Sequence, residues 1–270
     1  MTAIAQDAPA AYRAAPRVGP LGTLRHTMTL AWRSLVQVKH NPMELLDLSV
    51  QPIMFLLLFT YVFGGAIAGS TGDYLQFALP GLVVQNMLFA TLTTAIGLNT
   101  DITKGVFDRL RSLPISRVAP LAGRIVADTL KQVWAFALFL GLGMILGFRV
   151  QTGVLGVVGA LALLLTFALA MSWMSVLIGL KASDPEKVQI MAFSLMMPIT
   201  FTSNAFVPVD TMPGWLQTWV DVNPVTFLAD AIRGLLSGGP VAENLAPSLA
   251  WAAVLVLVFL PLSVRAFRRV

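Results

Sequence analysis

Six apolar stretches, none holding an Asp, Glu, Lys, Arg or His, constrain this chain more than any other feature. They cover about residues 48–67, 75–98, 133–148, 154–180, 188–207 and 246–264. Each is close to the roughly 20 residues with which an α-helix crosses about 30 Å of hydrocarbon. Composition points the same way. The chain is 57% hydrophobic and 11% charged, against about 25% charged in soluble domains. A soluble fold would have too few polar side chains to cover its outside. The expected fold is all-α: a multi-pass cell-membrane domain with six transmembrane helices.

Lys and Arg orient it. With six alternating spans, sixteen of the eighteen basic residues fall on one side, and only Arg149 and Arg233 on the other. The positive-inside rule then places both termini and the 101–131 loop in the cytoplasm. Termini on one side require an even number of spans, so the two counts agree. The net charge of +5 sits beside apolar spans. It reads as orientation and contact with anionic membrane lipid rather than nucleic-acid binding. Residues 1–20, rich in Ala and Pro, are expected to be a disordered cytoplasmic tail ahead of one membrane domain over 21–270. They carry no signal peptide's apolar region before Leu45. In residues 21–41, Leu24, Met28, Ala31, Leu35 and Val38 recur at helical spacing, with Arg25, Arg33 and Lys39 elsewhere around the helix. Such a helix either lies in the membrane interface or packs on a cytoplasmic partner. The span that follows at once favours the interface.

Charge-free spans exclude several functions. Intramembrane ionisable groups mark proton relays, ion pathways and voltage sensors, so an ion-coupled transporter or pump is disfavoured. A phosphate-binding loop needs Gly-Lys, a dipeptide found nowhere in the chain. There is no cysteine, and the two histidines, His26 and His40, both lie near the N-terminus; no metal site is expected. Energy for any transport must come from another protein. The polar residues inside the spans are neutral: Gln51, Gln85, Asn86, Ser172, Ser175, Ser194, Thr200, Thr202 and Asn204. They serve either as interhelical hydrogen-bonding groups or as a wall facing an amphipathic solute.

Two segments between spans stand out. Residues 101–128 predict two short helices, one over about 102–112 and ended by Pro114, the next capped by Ser116 and leading into the third span. The first carries an apolar stripe of Val106, Leu110 and Leu113 beside Lys104, Asp108 and Arg111. It suits either a groove on a partner or a solvated loop that supplies orienting charge. Residues 208–245 read as a long irregular segment. There Trp215, Leu216, Trp219 and Val220 form an aromatic, apolar face, and Asp230 and Arg233 are spaced to pair on a helix. This segment is either an interfacial cap or a gate over an exit path.

The run KGVFDRLRSLPISR, Lys104 to Arg117, resembles the coupling segment of type-2 ABC exporter permeases. Gly105, Asp108, Arg109, Leu110, Pro114 and Ser116 match that family's pattern, which more often has Glu where Asp108 stands. Asn204 to Pro208 resembles the end of that family's fifth span, Met212 to Leu216 the short outer helix that follows, and Asn223 to Phe227 with Asp230, Arg233 and Gly234 its second outer helix. The resemblance therefore implies re-entrant or interfacial outer helices between spans five and six. Gln51 to Gly65 resembles its daunorubicin-resistance branch of drug-export permeases. The resemblance implies the membrane subunit of an ATP-driven exporter, paired with a second copy of itself or a related permease and with two ATPase subunits. ATP and magnesium would be bound on the ATPases, and no cofactor by this chain. Gly105, Asp108, Arg109, Leu110, Pro114, Ser116 and Arg117 would meet the ATPase. Gln51, Gln85, Asn86, Ser194, Thr200 and Asn204 would line the substrate path. Trp215, Trp219, Asp230 and Arg233 would form an outer gate. The cargo would be hydrophobic or amphipathic, daunorubicin-like. A lipid or glycoconjugate exporter is the nearest alternative, and a non-transporting membrane scaffold the alternative of another class.

Overall fold

A recurring dipeptide starts the helices. Asn41-Pro42, Asp184-Pro185 and Asn223-Pro224 each place an Asn or Asp at the cap and Pro at the first helical position. The side-chain oxygen accepts an otherwise orphaned backbone N–H, and Pro has none to orphan. The computed structural model describes residues 19–106 and 119–267, and every regular element among them is helical. These elements are α1 (Pro20–His40), α2 (Pro42–Leu58), a π-helical turn (Phe59–Phe63), α3 (Gly64–Ala68), α4 (Thr71–Thr103), α5 (Ala119–Leu146) and α6 (Gly153–Lys181). After them come α7 (Pro185–Phe201), a 3₁₀ turn (Val209–Thr211), α8 (Gly214–Val220), α9 (Pro224–Ser237) and α10 (Ala242–Phe267). At the α7 cap, the Asp184 carboxylate accepts from the Lys187 backbone N–H and side chain and from Ser183, which hold it at about 2.

Five helical stretches among the described residues are long and apolar enough to cross a membrane: Leu48–Ala68, Thr71–Thr103, Ala122–Leu146, Gly153–Lys181 and Ala242–Phe267. The expected stretch over 188–207 is a shorter helix, the 17-residue α7. It ends at Phe201 because residues 202–206 turn away. Both the backbone N–H and the hydroxyl of Thr202 close on the Pro198 carbonyl, at 2.9 and 2.5 Å.

The axis of the molecule is α4. Its 33 residues give about 50 Å at 1.5 Å per residue. Of its most apolar stretch, 67% is buried inside the protein, against 11% for α10. Other elements reach it through small residues. A Cβ on Gly81 of α4 would lie 2.0 Å from the Ala205 carbonyl oxygen. A Cβ on Gly179 of α6 would lie 2.7 Å from the Ala95 carbonyl oxygen. In lipid, where apolar surface gains little by hiding from apolar solvent, close backbone approach supplies the packing energy.

Several sequence expectations need correction. The apolar run at 75–98 is the middle of a longer helix, and the run at 133–148 covers the C-terminal half of another. Thus α4 continues through Ile102 and Thr103, residues expected in a separate short helix. It is closed by Gly105, whose φ of +65° is left-handed. Likewise α5 is helical from Ala119, so Arg124, Asp128 and Lys131 belong to it, and it ends at Leu146 rather than Phe148. The segment over 208–245, irregular by its residue pattern, contains α8 and α9, helices in the two stretches where the resemblance implies them. The single apolar stripe expected on α1 divides. Ala31 and Thr27 are buried against α5, whose Gly123 would bring a Cβ within 3.0 Å of the Thr27 carbonyl. Leu24, Met28 and Trp32 face outward. Sequence spacing marks both arcs as apolar, but only the one with small side chains admits a second helix.

Gly81→Ala is expected to lower stability by about 1–3 kcal/mol, the usual cost of overpacking a tight contact. Gly141→Ala, inside α5 with nothing within 4 Å of the added carbon, should leave it unchanged or raise it by up to about 1 kcal/mol, the helix preference of Ala over Gly. Thermal unfolding of the two purified variants in detergent checks this.

Candidate functional site

Residues 51 and 55 are one helical turn apart on α2, and residues 82, 85, 86 and 89 share one side of α4. Where α2 lies along α4, a shallow open cleft forms between Gln51, Phe55, Leu82, Gln85, Asn86, Phe89 and Phe139 of α5. Gln85 is buried, Asn86 half-buried, and Gln51 exposed at the rim. The cleft therefore holds three primary amides among three aromatic rings and contains no formal charge. Amides both donate and accept, and aromatic faces stack. Such a lining suits a flat, uncharged or weakly charged molecule with a hydrogen-bonding edge.

The aromatic lining continues along the structure. Phe89 meets Phe193 of α7 at 5.8 Å between ring centroids. From Phe55 the rings run to Phe59 at 6.1 Å, then to Phe206 at 4.8 Å, and on to Phe201 at 5.3 Å. Phe59 opens the π-helical turn, a feature that widens a helix locally.

At the Thr71 end of α4, a polar knot joins the 201–206 turn to α9. Asp230 and Arg233 form an ion pair. Asn204 Nδ2 donates to Asp230 Oδ2 at 2.7 Å. Arg233 donates from Nε to the Phe77 carbonyl at 3.1 Å and from Nη2 to the Asn204 carbonyl at 3.3 Å. Its guanidinium also lies 4.2 Å from the centre of the Phe77 ring, a cation–π contact. Beside the knot, the buried Tyr74 hydroxyl donates to the Phe206 carbonyl at 3.1 Å. Fully buried Asn223 serves two helices at once. Its Oδ1 accepts the Val225 N–H at the start of α9. Its Nδ2 donates to the Ile199 and Thr202 carbonyls at 2.8 and 3.1 Å, at the end of α7.

The residues singled out from sequence therefore fall into separate places. Gln51, Gln85 and Asn86 meet in the cleft. Ser194 is exposed on α7, beside Phe193 of the aromatic lining. Thr200 and Asn204 are buried at the knot, where Thr200 Oγ1 and Asn204 Oδ1 have no hydrogen-bond partner. Asp230 and Arg233 pair as their spacing predicts. Trp219 donates from Nε1 to Thr202 Oγ1 at 2.8 Å, whereas Trp215 is 76% exposed. Gly105 ends α4; Asp108, Arg109, Leu110, Pro114, Ser116 and Arg117 lie outside the described residues. Asn223, Tyr74 and Phe77 escaped the sequence reading as site residues. For Asn223 a signal existed, since Asn before Pro marks a helix start.

These features sit in a chain whose residues 25–236 match the model of the ABC-2 type transporter membrane domain. The chain belongs to the ABC-2 type transporter family. ABC-2 members are multi-pass permeases of the plasma membrane, and this chain is one; as a class they work with an ABC ATPase and dimerise. The chain is 46% identical, over 90% of its length and 86% of the relative's, to the daunorubicin resistance ABC transporter permease protein DrrB1 of Streptomyces coeruleorubidus. It is 28% identical, over 80% of its length and 78% of the relative's, to the probable doxorubicin resistance ABC transporter permease protein DrrC of Mycobacterium tuberculosis. A putative transport permease, ycf38 of Cyanophora paradoxa, is 29% identical over 79% of this chain and 75% of its own length.

Truncating Arg233 to Ala strands a half-buried carboxylate. The expected cost is roughly 2–4 kcal/mol. Arg149→Ala, at an exposed side chain, should change stability by under about 0.5 kcal/mol. Denaturant unfolding in detergent distinguishes them.

Proposed function

We propose that this permease is the membrane subunit of an ATP-driven drug exporter, and that the Gln51–Gln85–Asn86 cleft receives the drug. The observation that carries the reading is the cleft itself: amides and aromatic rings, without a charged group, on helices that belong to a transporter. Daunorubicin and doxorubicin, named for its relatives, each carry a flat ring system rimmed with hydrogen-bonding groups, which is the part this lining accommodates; their cationic amino sugar would lie outside the charge-free cleft. Neighbouring Ser194, and Thr200 and Asn204 further along the aromatic line, extend the path. The knot of Asn204, Asp230 and Arg233, with Trp215 and Trp219 on α8, acts as the outer gate.

In this reading residues 21–270 form one domain, preceded by a cytoplasmic tail over 1–20. Six helices cross the membrane, with α7 as the short fifth. Both termini are cytoplasmic, α1 lies in the interface with Leu24, Met28 and Trp32 toward lipid, and α8 and α9 form the outer cap. Two copies of the permease, or this chain with a related one, stand over two ATPase subunits, which bind ATP and magnesium. The segment from Gly105 through Arg117 docks on the ATPase through Asp108, Arg109 and Leu110, with Pro114 and Ser116 shaping its turn. Closure of the ATPase pair pushes this segment and shifts the packing of α2, α4 and α7 around the cleft.

Two measurements test this. Reversing the charges with Asp108→Arg and Arg109→Glu should leave the chain in the membrane but abolish drug-stimulated ATP hydrolysis and efflux. Unchanged daunorubicin efflux from cells carrying that variant and its ATPase would end the docking assignment. Replacing Gln51 or Asn86 by Ala removes about 0.5–1.5 kcal/mol of hydrogen bonding, so the half-saturating daunorubicin concentration should rise by roughly two- to tenfold. Stimulation by lipid or glycoconjugate in place of daunorubicin would favour the nearest alternative cargo. ATP hydrolysis indifferent to every solute would favour a scaffold.

A further inference from the structure

The α4–α5 hairpin that bears the docking segment is clamped at its base by polar contacts in antiparallel register. On α5, Arg124 and Asp128 are one turn apart. Opposite them on α4 stand Asp101, Gly97 and Thr94. Arg124 Nη1 donates to Asp101 Oδ2 at 2.5 Å. The same guanidinium lies across Gly97, where a Cβ would come within 1.7 Å of Nη2. One turn further, Thr94 Oγ1 donates to Asp128 Oδ2 at 2.7 Å, and Lys131 Nζ stands 3.6 Å from Asp128 Oδ1. The paired side chains are only 19–40% exposed.

The same stretch of α4 grips α6. Asn99, 2% exposed, donates from Nδ2 to the Gly179 carbonyl at 2.9 Å and to the Ala182 carbonyl at 2.7 Å. Ala182 is the end of α6, two residues before the cap of α7. Gly179 lets the α6 backbone lie against Ala95. Three helix ends are thus tied together within about two turns of α4.

We infer that this clamp is a lever: Asp101, Arg124 and Gly97 lock the register of α4 against α5, and Asn99 passes their displacement to the α6–α7 elbow. Partly buried ion pairs add little net stability compared with apolar contacts of similar size. What they specify is register, because a slip of one turn, about 5.4 Å, separates every partner listed above. A push on the segment beyond Gly105 would be absorbed by sliding of two smooth helices. In the locked hairpin it moves α4 and α5 as one body, and through Asn99 it moves α7, which carries Phe193 and Ser194 beside the cleft. Arg124, Asp101, Gly97 and Asn99 are positioning residues; none touches drug or nucleotide. The inference rests on the docking role proposed for the segment between Gly105 and Ala119.

The test uses the assembled permease–ATPase complex in proteoliposomes, with daunorubicin transported and ATP hydrolysed measured in the same vesicles. Arg124→Ala, and Gly97→Ala, which displaces the guanidinium without removing a charge, should each lower drug moved per ATP by at least roughly fivefold, the lower range of an allosteric coupling. Complex assembly should persist. Asp101→Arg combined with Arg124→Asp should restore the ratio, which a merely structural loss would not do. The chain has no cysteine, so Thr94→Cys with Asp128→Cys gives a unique pair. Joined by a short bis-maleimide, to which each thiol adds, it should keep the ratio within about twofold, as a hairpin moving as one body must. Wild-type ratios in both Arg124→Ala and Gly97→Ala, or arrest of transport by the crosslink, would overturn the lever. The Asp108 and Arg109 reversal separates the two ideas. If it is silent while Arg124→Ala uncouples, the docking site falls and the lever stands. If it uncouples while Arg124→Ala is silent, the lever falls and the docking site stands.

Discussion

Close backbone approach to α4 is the constraint on which the other elements depend. A helix buried over two-thirds of its apolar stretch inside a membrane protein cannot be held by the hydrophobic effect, since lipid is as apolar as its neighbours. Dispersion between well-fitted surfaces must hold it instead, and that falls away with gaps of less than 1 Å. Gly81 admits the Ala205 carbonyl near one end, and the backbone at Ala95 admits Gly179 near the other. Between these levels the larger side chains of α4, such as Met87, Leu88 and Val84, are fully buried. On α4 the cleft is lined by Leu82, Gln85, Asn86 and Phe89, of which Asn86 and Phe89 are the ones not fully buried. Its position is set by what α4 does not bury.

Polar groups are distributed by the same economy. Where the structure needs exact geometry between elements far apart in sequence, it uses one polar side chain on several partners. Arg233 serves Asp230, Phe77 and Asn204; Asn99 serves Gly179 and Ala182; Asn223 serves Ile199, Thr202 and Val225. In a low-dielectric surrounding each such bond is strong and each missing one costly. The ion pair of α9 is tolerated for the same reason: Asp230 and Arg233 neutralise each other one turn apart, and the remaining donors find backbone carbonyls.

Much of this was legible from the residues. The apolar runs mark the long helices, because length and absence of charge decide membrane crossing. Helix ends were less legible, since α5 runs past the apolar boundary through Arg124, Asp128 and Lys131, whose charges are paired rather than solvated. The fourteen-residue α9 lies in a segment whose prolines and glycines read as irregular by composition, and only the family resemblance implied a helix there. Spacing anticipated the Asp230–Arg233 contact, because i and i+3 are neighbours on any helix. It could not anticipate Asn204 as the third member, nor bring Gln51 beside Gln85 and Asn86, because those meetings depend on how separate helices pack. On α1 periodicity named Ala31 of the buried side but not Thr27, which is buried through smallness rather than hydrophobicity.

Asn223 has a consequence for biosynthesis. The helix α7 ends at Phe201 with the Ile199 and Thr202 carbonyls satisfied by a side chain made later. At about 5–20 residues per second, those carbonyls wait a second or more after α7 leaves the ribosome. During that interval these two carbonyls lack the partner they have in the finished fold. The end of α7 and the start of α9 are therefore completed together, with one asparagine as the closing part.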